Sequence, residues 1–142
     1  MYTSVERPFT PVALTAATAE SFALLSLAAQ LTTDKAYTEH GRAGLTLVRG
    51  EALTLVLTAV HAGKASDVIT TEGPTALIIL SGSLTVILEE TADRILLDSG
   101  TMATLAPQLR HTVEAHTESV FLTVIGEQPE LRALASEAAG RS

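Results

Sequence analysis

The sequence predicts a mostly-β fold, an antiparallel β-barrel over residues 43–126 with one helix before it and one after it. Three observations carry this. Between Leu45 and Ile125 the chain falls into short β-type runs, among them Leu53–Val60, Ala76–Leu80, Leu84–Leu88 and Val120–Ile125. Gly-, Pro- and acid-rich turns punctuate them at Arg49-Gly50-Glu51, Glu72-Gly73-Pro74, Ser81-Gly82-Ser83, Glu89–Asp93 and Asp98-Ser99-Gly100, the one-dimensional pattern of a small all-β barrel. Outside that region the apolar residues switch to helical spacing.

A chain of 142 residues is one domain by size, long enough to bury roughly two thirds of its unfolded surface. Apolar residues make up 46% and aromatic ones 4%, so the core is built from Leu, Val, Ile and Ala, with few rings to stack on bases. The net charge of −7 repels phosphate backbones and anionic membranes and argues against nucleic acid as a partner. With no cysteine, disulfides, thiolate metal sites and thiol catalysis are all excluded. Phe22–Ala29 is apolar, but Glu6 and Glu20 precede it and no basic cluster does, so it does not read as a signal sequence. No run approaches the roughly 20 apolar residues of a membrane span. The expectation is a soluble, cytoplasmic protein.

In chain order, residues 1–42 form an N-terminal arm and helix. Met1–Val12 carries Pro8 and Pro11 without periodicity and reads as extended. Phe22, Leu25, Leu27, Ala28 and Leu31 recur at helical spacing after Thr18, Glu20 and Ser21, which predicts a capped helix near 18–30 packed on the barrel. The polar stretch Thr32–Arg42 is expected to be irregular, with a short strand at Ala36–Thr38. Leu45–Val48 and Leu53–Val60 flank Arg49-Gly50-Glu51 as a β-hairpin. Alternation along the second run puts Leu53, Leu55, Leu57 and Ala59 on one face and Val56, Thr58 and Val60 on the other. Ala76–Leu80 and Leu84–Leu88 are expected to pair across Ser81-Gly82-Ser83. Arg94–Leu97, Met102–Leu105, Thr112–Ala115 and Val120–Ile125 supply further strands. Residues 127–142 carry a helix over 129–138, with Leu131, Leu134 and Ala138 on one face and Gly140 at its end.

Two stretches resemble the motifs of the cupins, the small jelly-roll or double-stranded β-helix family whose motifs line a metal pocket. Laid from Gly63, the first motif ends on Gly82 and places its two His positions on Ile69 and Thr71 and its Glu position on Thr75. The second, from Gly100, places its His on His111, with Pro107 displaced and Ala115 at the Asn position. Leu105 through Ala115 resembles a variant found in small bacterial cupins, and the likeness spans about residues 40–127. The spacing is kept while three of the family's ligands are gone. The resemblance implies the barrel, a pocket lined by Ile69, Thr71, Thr75, Ile78, His111 and Val113, and pairing of subunits as a homodimer.

A catalytic transition-metal site takes three or more protein ligands, and one imidazole does not hold such an ion. His111 shares a strand face with Val113 and Ala115, whereas His116 shares the opposite face with Glu114. His61 lies at a strand end near Gly63, and His40 sits in the polar segment. The sequence therefore predicts no metal and no cofactor. His111 can act as a general base, since imidazole titrates near neutrality, or serve as a hydrogen-bonded pocket residue. Thr70, Thr71 and Thr75 can bind a ligand hydroxyl or simply favour strands. Glu89, Glu90 and Asp93 read as a solvated turn. Arg42, after Gly41, resembles a recurrent family position that tethers the N-terminal segment, and Arg110, before His111, is expected to do the same at the barrel mouth.

The expected function is a metal-free module that binds a small molecule or regulates. The alternative is an enzyme of isomerase or dioxygenase type, using His111 as base or as the remnant of a metal site. The dimer is expected through the arm and an apolar outer face formed by Val56, Thr58 and Val60.

Overall fold

In the computed structural model, which describes residues 19–127, two helices precede eight strands. They are α1 (Leu24–Leu31), α2 (Lys35–His40), β1 (Arg42–Arg49), β2 (Leu53–Val60), β3 (Thr75–Ser81), β4 (Ser83–Leu88), β5 (Arg94–Asp98), β6 (Met102–Leu105), β7 (His111–Ala115) and β8 (Ser119–Gly126). The arm expected over Met1–Val12 and the helix expected over 129–138 lie outside the described residues. No helix among the described residues is long and apolar enough to cross a membrane.

Helix α1 starts later than the expected 18–30. Ala23 is its N-cap and offers no side-chain hydrogen bond, so Glu20 and Ser21 precede the helix without capping it. Its inward stripe is Leu24, Leu27, Ala28 and Leu31, the i, i+3, i+4, i+7 face, while Leu25 is 65% exposed.

The stretch expected to be irregular, with a strand at Ala36–Thr38, is instead α2. The Ala36 N–H donates to Asp34 Oδ1 (3.0 Å) and the Gly41 N–H to the Tyr37 carbonyl (2.7 Å). Gly41 ends the helix at a φ of 75°, the left-handed conformation that glycine adopts without a Cβ penalty. One short turn between good caps needs only one buried side chain, and Tyr37 is it.

The strands form two antiparallel sheets, one ordered β1-β2-β8-β3-β6 and the other β5-β4-β7. The β1–β2 hairpin forms as expected, with a register shift between Thr46 and Val48. Residues 63–69 run beside β7 and extend the smaller sheet. The Gly63 N–H donates to the Ala115 carbonyl (2.8 Å), and Ile69 and His111 exchange backbone hydrogen bonds of 2.7 and 3.1 Å.

The pairing expected across Ser81-Gly82-Ser83 does not occur. β3 pairs with β6 and β8, whereas β4 pairs with β5 and β7. The chain crosses from one sheet to the other at Gly82, whose φ is 90°. Just beyond it the Ser83 N–H donates to the hydroxyls of Thr117 (3.0 Å) and Ser119 (3.1 Å), which fastens the crossing to the start of β8. Leu77 and Ile79 of β3 therefore meet Leu84 and Val86 of β4 across the core between the sheets, not side by side in one ladder.

A second core lies between the helices and the outer face of the larger sheet, built from Ala28, Leu31, Tyr37, Leu45, Leu47, Leu57 and Ala59. Strand β2 is shared between the two cores by its alternation. Leu57 and Ala59 face the helices, and Val60 faces the space between the sheets. Val56 and Thr58 face that space as well. The face expected to be outer is thus the inner one, because α1 and α2 cover the opposite side. The expected homodimer no longer has that face to rest on.

Candidate functional site

Between the two sheets lies a cavity of about 180 Å³ lined by Arg42, Val56, Thr58, Ile69, Thr71, Thr75, Leu77, His111, Val113, Phe121, Thr123 and Ile125. Alternation delivers these side chains in sets: Thr75 and Leu77 from β3, His111 and Val113 from β7, Phe121, Thr123 and Ile125 from β8, and Ile69 and Thr71 from the segment beside β7. Five of the six residues expected here are present. Ile78 is not, because neighbours on a strand point to opposite sides. With Thr75 facing in, Leu77 follows it inward, and Ile78 turns to the outer face between Met102 and Leu122.

His111 is 2% exposed. Its Nδ1 lies 3.0 Å from the Leu109 carbonyl, so we assign the proton to Nδ1, which donates there. Nε2 then presents a lone pair and has no hydrogen-bond partner among the described residues. Thr71 Oγ1 and Thr75 Oγ1 are 2.6 Å apart, and each is 3.2 Å from the Gly73 carbonyl. Two hydroxyl protons serve each other and that carbonyl, so the pair has only acceptor capacity left for a visitor.

Arg42 is half-buried at the start of β1. Burial lowers its pKa, and the Asp67 carboxylate opposes the shift; arginine stays charged all the same. No hydrogen bond or ion pair holds its guanidinium among the described residues. The sequence had suggested Arg42 as a tether and missed it as a lining residue. The signal was available, since alternation sends Ala43, Leu45 and Leu47 to the helical core and leaves Arg42 on the other face. Phe121 and Thr123 were missed although the same rule places them opposite Leu122.

The other histidines lie elsewhere. His40 and His61 are exposed beside Glu39 (3.8 Å) and Glu118 (3.9 Å). His116 is exposed and hydrogen-bonds Thr85. Thr70 and Arg110 are exposed, as are Glu89, Glu90 and Asp93 in their turn. Among the described residues no three His, Asp or Glu side chains come together as a metal site. The donors at the three positions of the first motif are an alkyl group and two hydroxyls, and these do not fit a transition metal.

No protein-family model matches the sequence, and no curated protein matches it significantly. Solved structures do match. A cupin superfamily protein from Desulfitobacterium hafniense superposes with a TM-score of 0.58 at 14% identity, over 62% of this chain and 79% of that one. KdgF from Halomonas sp. gives 0.54 at 16% identity, over 61% and 81%. Salicylate 1,2-dioxygenase from Pseudoaminobacter salicylatoxidans, solved with gentisate, gives 0.57 at 18% identity, over 67% of this chain and 27% of that larger one. At such identities the likeness is one of fold. The chain has the cupin fold.

Proposed function

We propose that the protein is a metal-free module that holds a small organic molecule between its two sheets. One observation carries the reading: among the described residues, His111 Nε2 and the Arg42 guanidinium have no hydrogen-bond partner, and both residues line a cavity whose other walls are apolar or hydroxylic. A ligand that pairs with these groups gains hydrogen bonds in surroundings of low polarity, where each is electrostatically stronger than in water. At about 30 Å³ per water the cavity holds the equivalent of about six waters, so the ligand is smaller than a drug-sized molecule.

The unpartnered Nε2 also supports a second reading, an enzyme of isomerase or dioxygenase type. It is the weaker one. A single imidazole can take and return a proton, but among the described lining residues no second acid or base stands with it, the other ionisable side chain being Arg42, which stays charged. Dioxygenase chemistry needs a metal that these donors do not fit.

The test is a screen of small organic fragments followed by methyl and amide NMR. Hits are expected to shift Leu77, Val113, Phe121 and their neighbours. Hits that shift only outer residues, or none from a broad set, would overturn the reading.

A further inference from the structure

We infer that the ligand is a small carboxylate bearing a hydroxyl group, with its carboxylate on Arg42 and its hydroxyl donating to His111 Nε2. This rests on the reading of the cavity as a ligand site and goes on to name the chemistry that fills it.

The argument starts from what each wall lacks. Arg42 presents five N–H donors in a planar fork. Among the described residues none of them is hydrogen-bonded, and Asp67 acts on the group as a nearby charge without an ion pair within 4 Å. A carboxylate is the partner whose two oxygens match that fork. His111 is buried, and with the proton assigned to Nδ1 its Nε2 is an acceptor. A hydroxyl is the neutral group that donates there. Val56, Leu77, Val113 and Phe121 leave the rest of the ligand an apolar surrounding.

Charge sets the orientation. The neighbouring groove shares Thr71 and Ile125 with the cavity and is lined by Glu51, Glu72 and Glu127. An anionic group turned toward that end meets three carboxylates and no cation among the described lining residues, whereas beside Arg42 it meets a guanidinium together with the nearby charge of Asp67. The Thr71–Thr75 hydroxyl pair, with only lone pairs to offer, gives a carboxylate nothing there either. The carboxylate end therefore belongs at Arg42, with the alkyl body between the two.

Isothermal titration with three probes tests this: 2-hydroxy-3-methylbutanoate, its amide, and 3-methylbutanoate. The hydroxy acid is expected to bind on the order of tenfold or more tighter than the amide, the worth of a charge-assisted pair of hydrogen bonds. Removing the hydroxyl is expected to weaken binding severalfold. Arg42→Gln is expected to erase the preference of acid over amide, and Arg42→Lys, which keeps charge without the fork, to retain part of it. Melting curves of both variants confirm that they fold. If amide and acid bind equally with shifts at cavity residues, the carboxylate assignment fails while the cavity remains a ligand site. If none of the three binds, the hydroxy-acid assignment fails, and the fragment screen decides separately whether the cavity is a ligand site.

Discussion

A Cβ placed on Gly82 would meet Ser119 Oγ and the Glu118 carbonyl, with Ser119 Cα at 2.7 Å. The residue also sits at a φ of 90°. Gly100 shares the left-handed conformation, at 85°, but has nothing within 4 Å of such an atom. The two glycines separate backbone strain from collision. Gly100→Ala is expected to lose about 1 kcal/mol, the conformational cost alone, and Gly82→Ala about 3 kcal/mol or more, because backbone has to move. Urea unfolding of both variants measures the gap, and equal losses would contradict the collision. Tyr37 offers a second residue-scale expectation. Burial, and then its hydrogen bond to Glu118 (3.0 Å), raise its pKa from 10.0 to about 12. Below pH 10 folded and unfolded chains both keep the phenol protonated, and its contribution to stability is complete. As pH rises from 10 through 12 the unfolded phenol ionises first, so that contribution is lost across this window. The chain has two tyrosines, and Tyr37→Phe is expected to remove the late phase of an absorbance titration at alkaline pH. A late phase that survives the substitution would show that Tyr37 is not its source.

At the scale of elements, the strands were legible and their partners were not. Period-two alternation marks β2, β3, β7 and β8 along the chain because each is buried by a local rule. Which strand lies beside which is set by distant burial. Two apolar runs around Ser81-Gly82-Ser83 read as a hairpin, yet Leu77 and Leu84 both belong in the core between the sheets, and only a crossing puts them there. The site was legible to the same degree. His111, Thr71 and Thr75 came from motif spacing, while Ile78 was wrong by one residue, which on a strand means the opposite face. Arg42 escaped because its neighbours pack against helices, one of which, α2, was itself unread. The cap that α2 relies on gives a test. Asp34→Ala is expected to cost about 1 kcal/mol and Asp34→Asn much less, since asparagine caps equally well. Equal losses in denaturant unfolding would place the role of Asp34 outside the cap.

At the scale of the whole molecule, the fold is that of the cupins while the donor set of its cavity is not that of a metal site. Ile69, Thr71 and Thr75 stand beside His111 where at least two further ligands would be needed, and a single imidazole gains little from an ion that must shed its waters among apolar walls. An ion that does not bind the native state adds nothing to its stability. Thermal melting with and without excess EDTA, followed by addition of nickel, zinc, iron(II) and manganese, tests this most directly. The account predicts one melting temperature throughout. A midpoint that falls by several degrees with chelator and returns with one of the metals would contradict it, and would move the reading from binding module to enzyme.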